Sequence, residues 1–168
     1  VEEKPSDQLE LSAGWGGAGR GVIGTLGVSF NNFSINNILK KESWNPLPQG
    51  DGQRLSLRAQ SNGRFFQSYN ASFTEPWLGG KKPMSFTVGG FLTNLTNGQD
   101  KNSTSFSNLR IVNGTVGLGT RLKWPDDNFI LNTELNIQTL KLNNYSVPLS
   151  NGLIINNGSF NNWSLRFT

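Results

Sequence analysis

Between Arg54 and Gln60 the chain reads RLSLRAQ, with Leu55, Leu57 and Ala59 at one parity and Arg54, Ser56, Arg58 and Gln60 at the other. A period of two marks a β-strand with one apolar face, because successive side chains leave opposite sides of the pleat. Asn62-Gly63-Arg64 then supplies turn residues, and FFQSYNASFTEPW sets Phe65, Tyr69, Ala71 and Phe73 against Phe66, Ser68, Asn70, Ser72 and Thr74. The two runs predict a hairpin. The alternation recurs in Leu9-Leu11-Ala13-Trp15, Val22-Leu26-Val28-Phe30, Met84-Phe86-Val88-Gly90-Leu92, Val116-Leu118-Thr120-Leu122-Trp124, Leu131-Thr133-Leu135-Ile137 and Trp163-Leu165-Phe167. About eight strands and an all-β, antiparallel fold follow.

Connections in such a meander alternate between two ends. Residues 16–21, 62–64, 95–108 and 143–159 fall at one, and residues 35–52, 78–82 and 125–128 at the other. A short helix is expected only in SINNILKK, with Ser34 as cap and Ile35, Ile38 and Leu39 on one side.

An alternating strand has two possible settings: its apolar face covers the core of a soluble sandwich, or it faces lipid while the polar face lines a wet lumen. Three features favour lipid. Several strands reach the ~9–11 residues that cross a bilayer at a tilt, where soluble strands average about 5–6. The polar set is small and hydrophilic: Ser, Thr, Asn, Gln and Gly, with Arg54, Arg58, Arg121 and Glu134 as interior charges. Trp15, Trp77, Trp124 and Phe73 stand near strand ends, where interfacial girdles sit. A sheet in hydrocarbon must also close, because each orphan backbone group costs several kcal/mol there.

Composition narrows the chemistry. The chain has no His and no Cys, which removes Ser-His-Asp and Cys-His nucleophiles, thiolate zinc sites and most transition-metal sites. Most familiar enzyme chemistries are thereby excluded. Asp126 and Asp127 follow Pro125 and read as turn residues rather than an acid/base pair. The net charge of +4 comes from scattered basic residues with no stripe among them, so no nucleic-acid partner is expected.

GWGGAGRG contains a literal G-x-G-x-x-G in Gly14, Gly16 and Gly19. That spacing cradles a dinucleotide only when a helix follows, and VIGTLGVSF follows here. The glycines read instead as a tight hairpin, with Gly14 and Gly16 thinning the first strand.

The glycine-rich opening LELSAGWGG, then GTLGVSFNNFS leading through WNPLPQGDGQRLSLRAQ, and above all RFFQSYNASFTEPWLGGKKPMSFTVGGF with its TEPW strand end, resemble the first strands of the BamA-type outer-membrane protein assembly factors. The resemblance covers about half the chain, Leu9 to Asn94, and is unspecific from Thr96 onward. It implies a transmembrane β-barrel in the bacterial outer membrane, with residues 8–168 as the N-terminal half of a sixteen-strand barrel and residues 1–7 as a linker from a preceding periplasmic domain. The second eight strands and the family's arginine-bearing loop motif do not occur in these residues.

The implied function is to fold and insert client barrels through a lateral gate; such insertion makes and cuts no covalent bond, so the resemblance implies no catalytic residue, cofactor or metal and a protein that is not an enzyme, consistent with the missing His and Cys. Leu9, Leu11, Ala13, Gly14, Trp15, Gly16 and Gly17 would form the gate strand that meets nascent outer-membrane proteins. Lys40, Lys41, Lys81 and Lys82 would sit in periplasmic turns and meet outer-membrane lipoproteins of the assembly complex, and the bilayer would be the remaining partner. Two other readings stay open: a complete eight-strand barrel acting as channel or anchor, and a soluble carbohydrate-binding sandwich.

Overall fold

The computed structural model describes residues 7–16, 21–44, 47–80, 84–124, 128–148 and 154–168. Its strands are β1 (Gln8–Trp15), β2 (Val22–Phe33), β3 (Gln53–Ser61), β4 (Phe66–Glu75), β5 (Met84–Thr96), β6 (Asn108–Arg121), β7 (Ile130–Asn143), β8 (Val147–Pro148), β9 (Ile154–Ile155) and β10 (Gly158–Phe167). The last three include a two-stranded hairpin, β8 with β9, inside the β7–β10 connection. The other eight strands form one antiparallel sheet in chain order, from β1 at one edge to β10 at the other. Each of these eight apart from β1 has at least nine residues.

The pairing carries the apolar parity across every strand. One line runs through Leu9, Val28, Leu57, Ala71, Gly90, Gly114, Ile137 and Trp163, each directly opposite the next. One residue along, the parallel line runs through Glu10, Gly27, Arg58, Asn70, Phe91, Asn113, Gln138 and Asn162. A one-residue slip anywhere would exchange the two faces, so the alternation in the sequence specifies the register.

Burial inverts the arrangement of a soluble domain. On β6, Asn113 is 9% exposed while Val116 is 41% exposed; on β2, Thr25 is 8% exposed and Leu26 51%. Among the described residues only Phe33 and Leu142 are buried large hydrophobics. Side chains crowd on the inside of a curled sheet and spread on its outside, so the polar face is the inner one. Its polar groups satisfy each other: Asn113 Nδ2 donates to Asn136 Oδ1 at 2.7 Å, and the hydroxyls of Ser68 and Thr93 lie 3.0 Å apart.

Three expectations need correction. The inner face is not hydrophilic throughout. At the end carrying the long loops, Phe66, Leu95, Leu109 and Leu142 form a cross-strand row, followed one step inward by Thr93, Ile111, Leu140 and Phe160. The expected helix does not form either. Ser34 Oγ does accept the cap bond from the Asn37 N–H at 3.1 Å, but the bonds beyond it, Ile38 N–H to Ile35 O and Lys40 N–H to Asn37 O, are isolated three-residue turns. A 3-10 turn at Lys41–Ser43 is the helical structure there. Asn and β-branched Ile are weak helix formers, and a segment this short cannot offset the cost of nucleation. Phe65, expected within the returning strand, precedes β4. Residues 1–6, Asp126 and Asp127 lie outside the described residues.

Candidate functional site

Five of the seven predicted gate residues fall on one strand. Leu9, Leu11, Ala13 and Trp15 occupy the outer parity of β1, opposite Val28, Leu26, Gly24 and Val22, and Gly14 lies on the inner parity opposite Ile23. Gly16 stands one residue beyond the strand, where its N–H donates to Gly21 O at 2.8 Å and closes the β1–β2 connection. Gly21 takes a φ of +68°, which glycine adopts without strain. Gly17 lies outside the described residues.

Every residue of β1 is exposed, and Leu11 reaches 80%. The strand is paired along one side by β2, while its second side is an edge of the sheet. Eight residues hold it, against fourteen in each of β6 and β7. A Cβ added at Gly14 would meet nothing within 4 Å, so packing does not demand glycine there. Its effect is to weaken the strand, since glycine loses more conformational freedom on ordering and contributes no cross-strand contact.

One inner-face contact fastens β1 beyond its immediate neighbour. Arg58 Nη2 on β3 donates to Glu10 Oε1 at 3.0 Å, reaching over Gly27 of β2, which lies opposite both residues. A Cβ at Gly27 would sit 3.2 Å from Glu10 Oε2, so the absent side chain is what gives the ion pair its path. Both partners are about half exposed, which limits the pair to roughly 0.2–1 kcal/mol. Glu10→Gln is therefore expected to raise amide exchange rates at residues 9–13 several-fold, leaving β5–β7 unchanged. Hydrogen–deuterium exchange of the detergent-solubilised protein checks this, and equal protection in both forms would remove the fastening role.

Arg58 was legible in the sequence as an interior charge, but its partner was not: the two stand 48 positions apart. Gly27 inside a strand was the available signal, because such a glycine often marks a close approach.

Of the predicted turn residues, Lys40 and Lys41 are exposed in the β2–β3 connection, at the end opposite the long loops, while Lys81 and Lys82 lie outside the described residues. That connection is built on a polar network. Ser34, fully buried, donates to Asp51 Oδ2 at 2.6 Å, and Asn36 Nδ2 donates to the same oxygen at 2.9 Å. The Ile35 N–H donates to Gln53 Oε1 at 2.7 Å, and Gln53 Nε2 in turn donates to Glu75 Oε2 at 2.6 Å.

β1 makes an exposed strand edge whose backbone donors and acceptors can accept another strand. Compared with known families, residues 49–168 match the Omp85 superfamily domain. No curated protein matches the sequence.

Proposed function

The chain belongs to the Omp85 superfamily, whose members are outer-membrane proteins working in the assembly or transport of other outer-membrane proteins, and we propose that this one is a BamA-type assembly factor. In this reading β1 is one lip of a lateral gate, and an incoming client strand pairs with its free edge. The observation that carries the reading is that edge: short, exposed along its whole length, glycine-bearing, and at the margin of a sheet whose apolar face points outward.

Client insertion of this kind makes and breaks no covalent bond, so the protein is not an enzyme and needs no cofactor. The free energy comes from the client's own strand pairing and apolar contact with lipid. The gate supplies temporary partners for backbone groups that would otherwise each cost several kcal/mol in hydrocarbon. Lys40 and Lys41 stand at the end of the sheet that this reading places on the periplasmic side, the side of the lipoprotein subunits.

Among the described residues the sheet has two unpaired edges, which in hydrocarbon call for more strands and support the half of a larger barrel. A complete eight-strand barrel would join β1 to β10, and these are the two margins of the sheet. A soluble sandwich would pack the apolar face that stands exposed here.

Cysteines placed one at a time along residues 9–15 are expected to crosslink to nascent client barrels in living cells, with the strongest yield where the backbone faces the open edge. Clients that fold normally with no crosslink at any of these positions would end the gate assignment.

A further inference from the structure

Ser34 to Trp44 presents a second surface that the gate does not use. Leu39 is 94% exposed, and Ile35, Ile38 and Trp44 are each more than two-fifths exposed, around Lys40 and Lys41. Looseness does not account for this exposure. The Ser34, Asn36 and Asp51 bonds tie the start of the segment to its return, and Asn37 Nδ2 donates to Gln49 O at 2.9 Å. The Ser43 N–H donates to Lys40 O at 3.0 Å, the Trp44 N–H to Lys41 O at 3.2 Å, and Trp44 Nε1 to Ile38 O at 3.2 Å. The backbone is thus folded on itself and holds four large apolar side chains outward.

We propose that this connection is a foot seated in the headgroup region of the bilayer, with Ile35, Ile38 and Leu39 at the acyl boundary and Lys40 and Lys41 against lipid phosphates. The inference rests on the membrane reading given above. Three observations select lipid as the occupant. The foot lies at the same end of the sheet as Trp77 and Trp124, both exposed, and tryptophan collects at the level of the membrane–water interface. It continues the outer face, because Phe33 at its root meets Phe73 of the outer parity edge-on, with centroids 6.2 Å apart. Its composition, lysine beside leucine, isoleucine and tryptophan, is that of an interfacial segment, whereas lysine is depleted in the cores of protein–protein interfaces. Glu42 offsets one of the two lysines, so apolar burial supplies most of the attachment and charge a smaller share.

The test uses the full-length protein carrying Leu39→Cys, labelled with an environment-sensitive fluorophore, in vesicles of phosphatidylethanolamine and phosphatidylglycerol. Lipids brominated high on the acyl chain are expected to quench the label at least two-fold more than lipids brominated deep in the chain. A label at Val116→Cys on the outer face should show the reverse preference. Lys40→Glu combined with Lys41→Glu should weaken the shallow quenching at position 39. No quenching at position 39 with normal quenching at position 116 would overturn the foot alone. An unquenched but solvent-shielded label at 39 would mean that a protein subunit covers the loop, which also overturns it. Absence of quenching at both positions would overturn the membrane reading and the foot together.

Discussion

Val116→Arg is expected to lower the stability of the inserted barrel by about 2–4 kcal/mol, while Thr115→Arg, one residue earlier on β6, leaves it nearly intact. Val116 projects from the outer face between Val88 and Leu135, and Thr115 from the inner face between Gly89 and Asn136. An arginine on the lipid side costs about 2–4 kcal/mol at the bilayer midplane and about 0–1 near the interfaces. Against a total stability of roughly 5–15 kcal/mol, the midplane figure is large. Thr120 shares the outer parity but lies nearer the end that holds Trp124, so Thr120→Arg should cost the smaller amount. Urea unfolding midpoints in lipid vesicles would measure all three variants. A soluble sandwich also penalises Val116→Arg, but there the penalty follows burial and not distance from the midplane. Equal costs at positions 115 and 116, or no gradient between 116 and 120, would sink the outward assignment of the apolar face.

The second large effect concerns two glycines that face each other across β5 and β6, Gly90 and Gly114. A Cβ at Gly90 would overlap the backbone carbonyl oxygen of Asn113, whereas one at Gly114 would meet nothing within 4 Å. A carbonyl in the middle of a ladder cannot move without breaking its pairing, so Gly90→Ala is expected to lower stability by about 1–3 kcal/mol, the usual range for overpacking. Gly114→Ala should instead raise it by about 0.5–1 kcal/mol, through the smaller conformational freedom lost on ordering. Opposite signs for one substitution at adjacent positions are a strict demand on the unfolding midpoints. Two changes of the same sign would mean that the β5–β6 approach differs from the one described.

Most of the sheet was legible in the sequence because it follows from parity, and parity is local. Leu55-Leu57-Ala59 against Arg54-Ser56-Arg58 assigns both faces without reference to any other strand. What needed the structure was everything that depends on which residues stand opposite one another. Leu109, Ile111, Leu140 and Leu142 are apolar at the inner parity, a visible break in the alternation. Their meaning as two rows at one end of the inner face emerges only once β6 and β7 are paired in register. Gly90 and Gly114 look alike in the chain and differ only in the carbonyl that β6 places beside one of them. The Ser34 cap was legible and correct as a hydrogen bond, yet the helix it would begin gave way to a network through Asp51 and Gln53, residues too distant for local pattern to connect. For β1, alternation in the sequence identified the strand, and the structure added its fastening through Glu10 and Arg58.

The eight-stranded sheet runs in chain order, each strand lying beside its predecessor in the sheet. Kinetically, every pairing step then closes a hairpin-sized loop, and the entropy of closure grows only with the logarithm of loop length. Such a sheet can lengthen one hairpin at a time from a single advancing margin, so slow long-range searching is confined to whatever step finally joins its outermost strands. A barrel built this way is a growing template at each stage of its own synthesis. The same property, retained at β1 after folding, is what a strand-accepting edge requires.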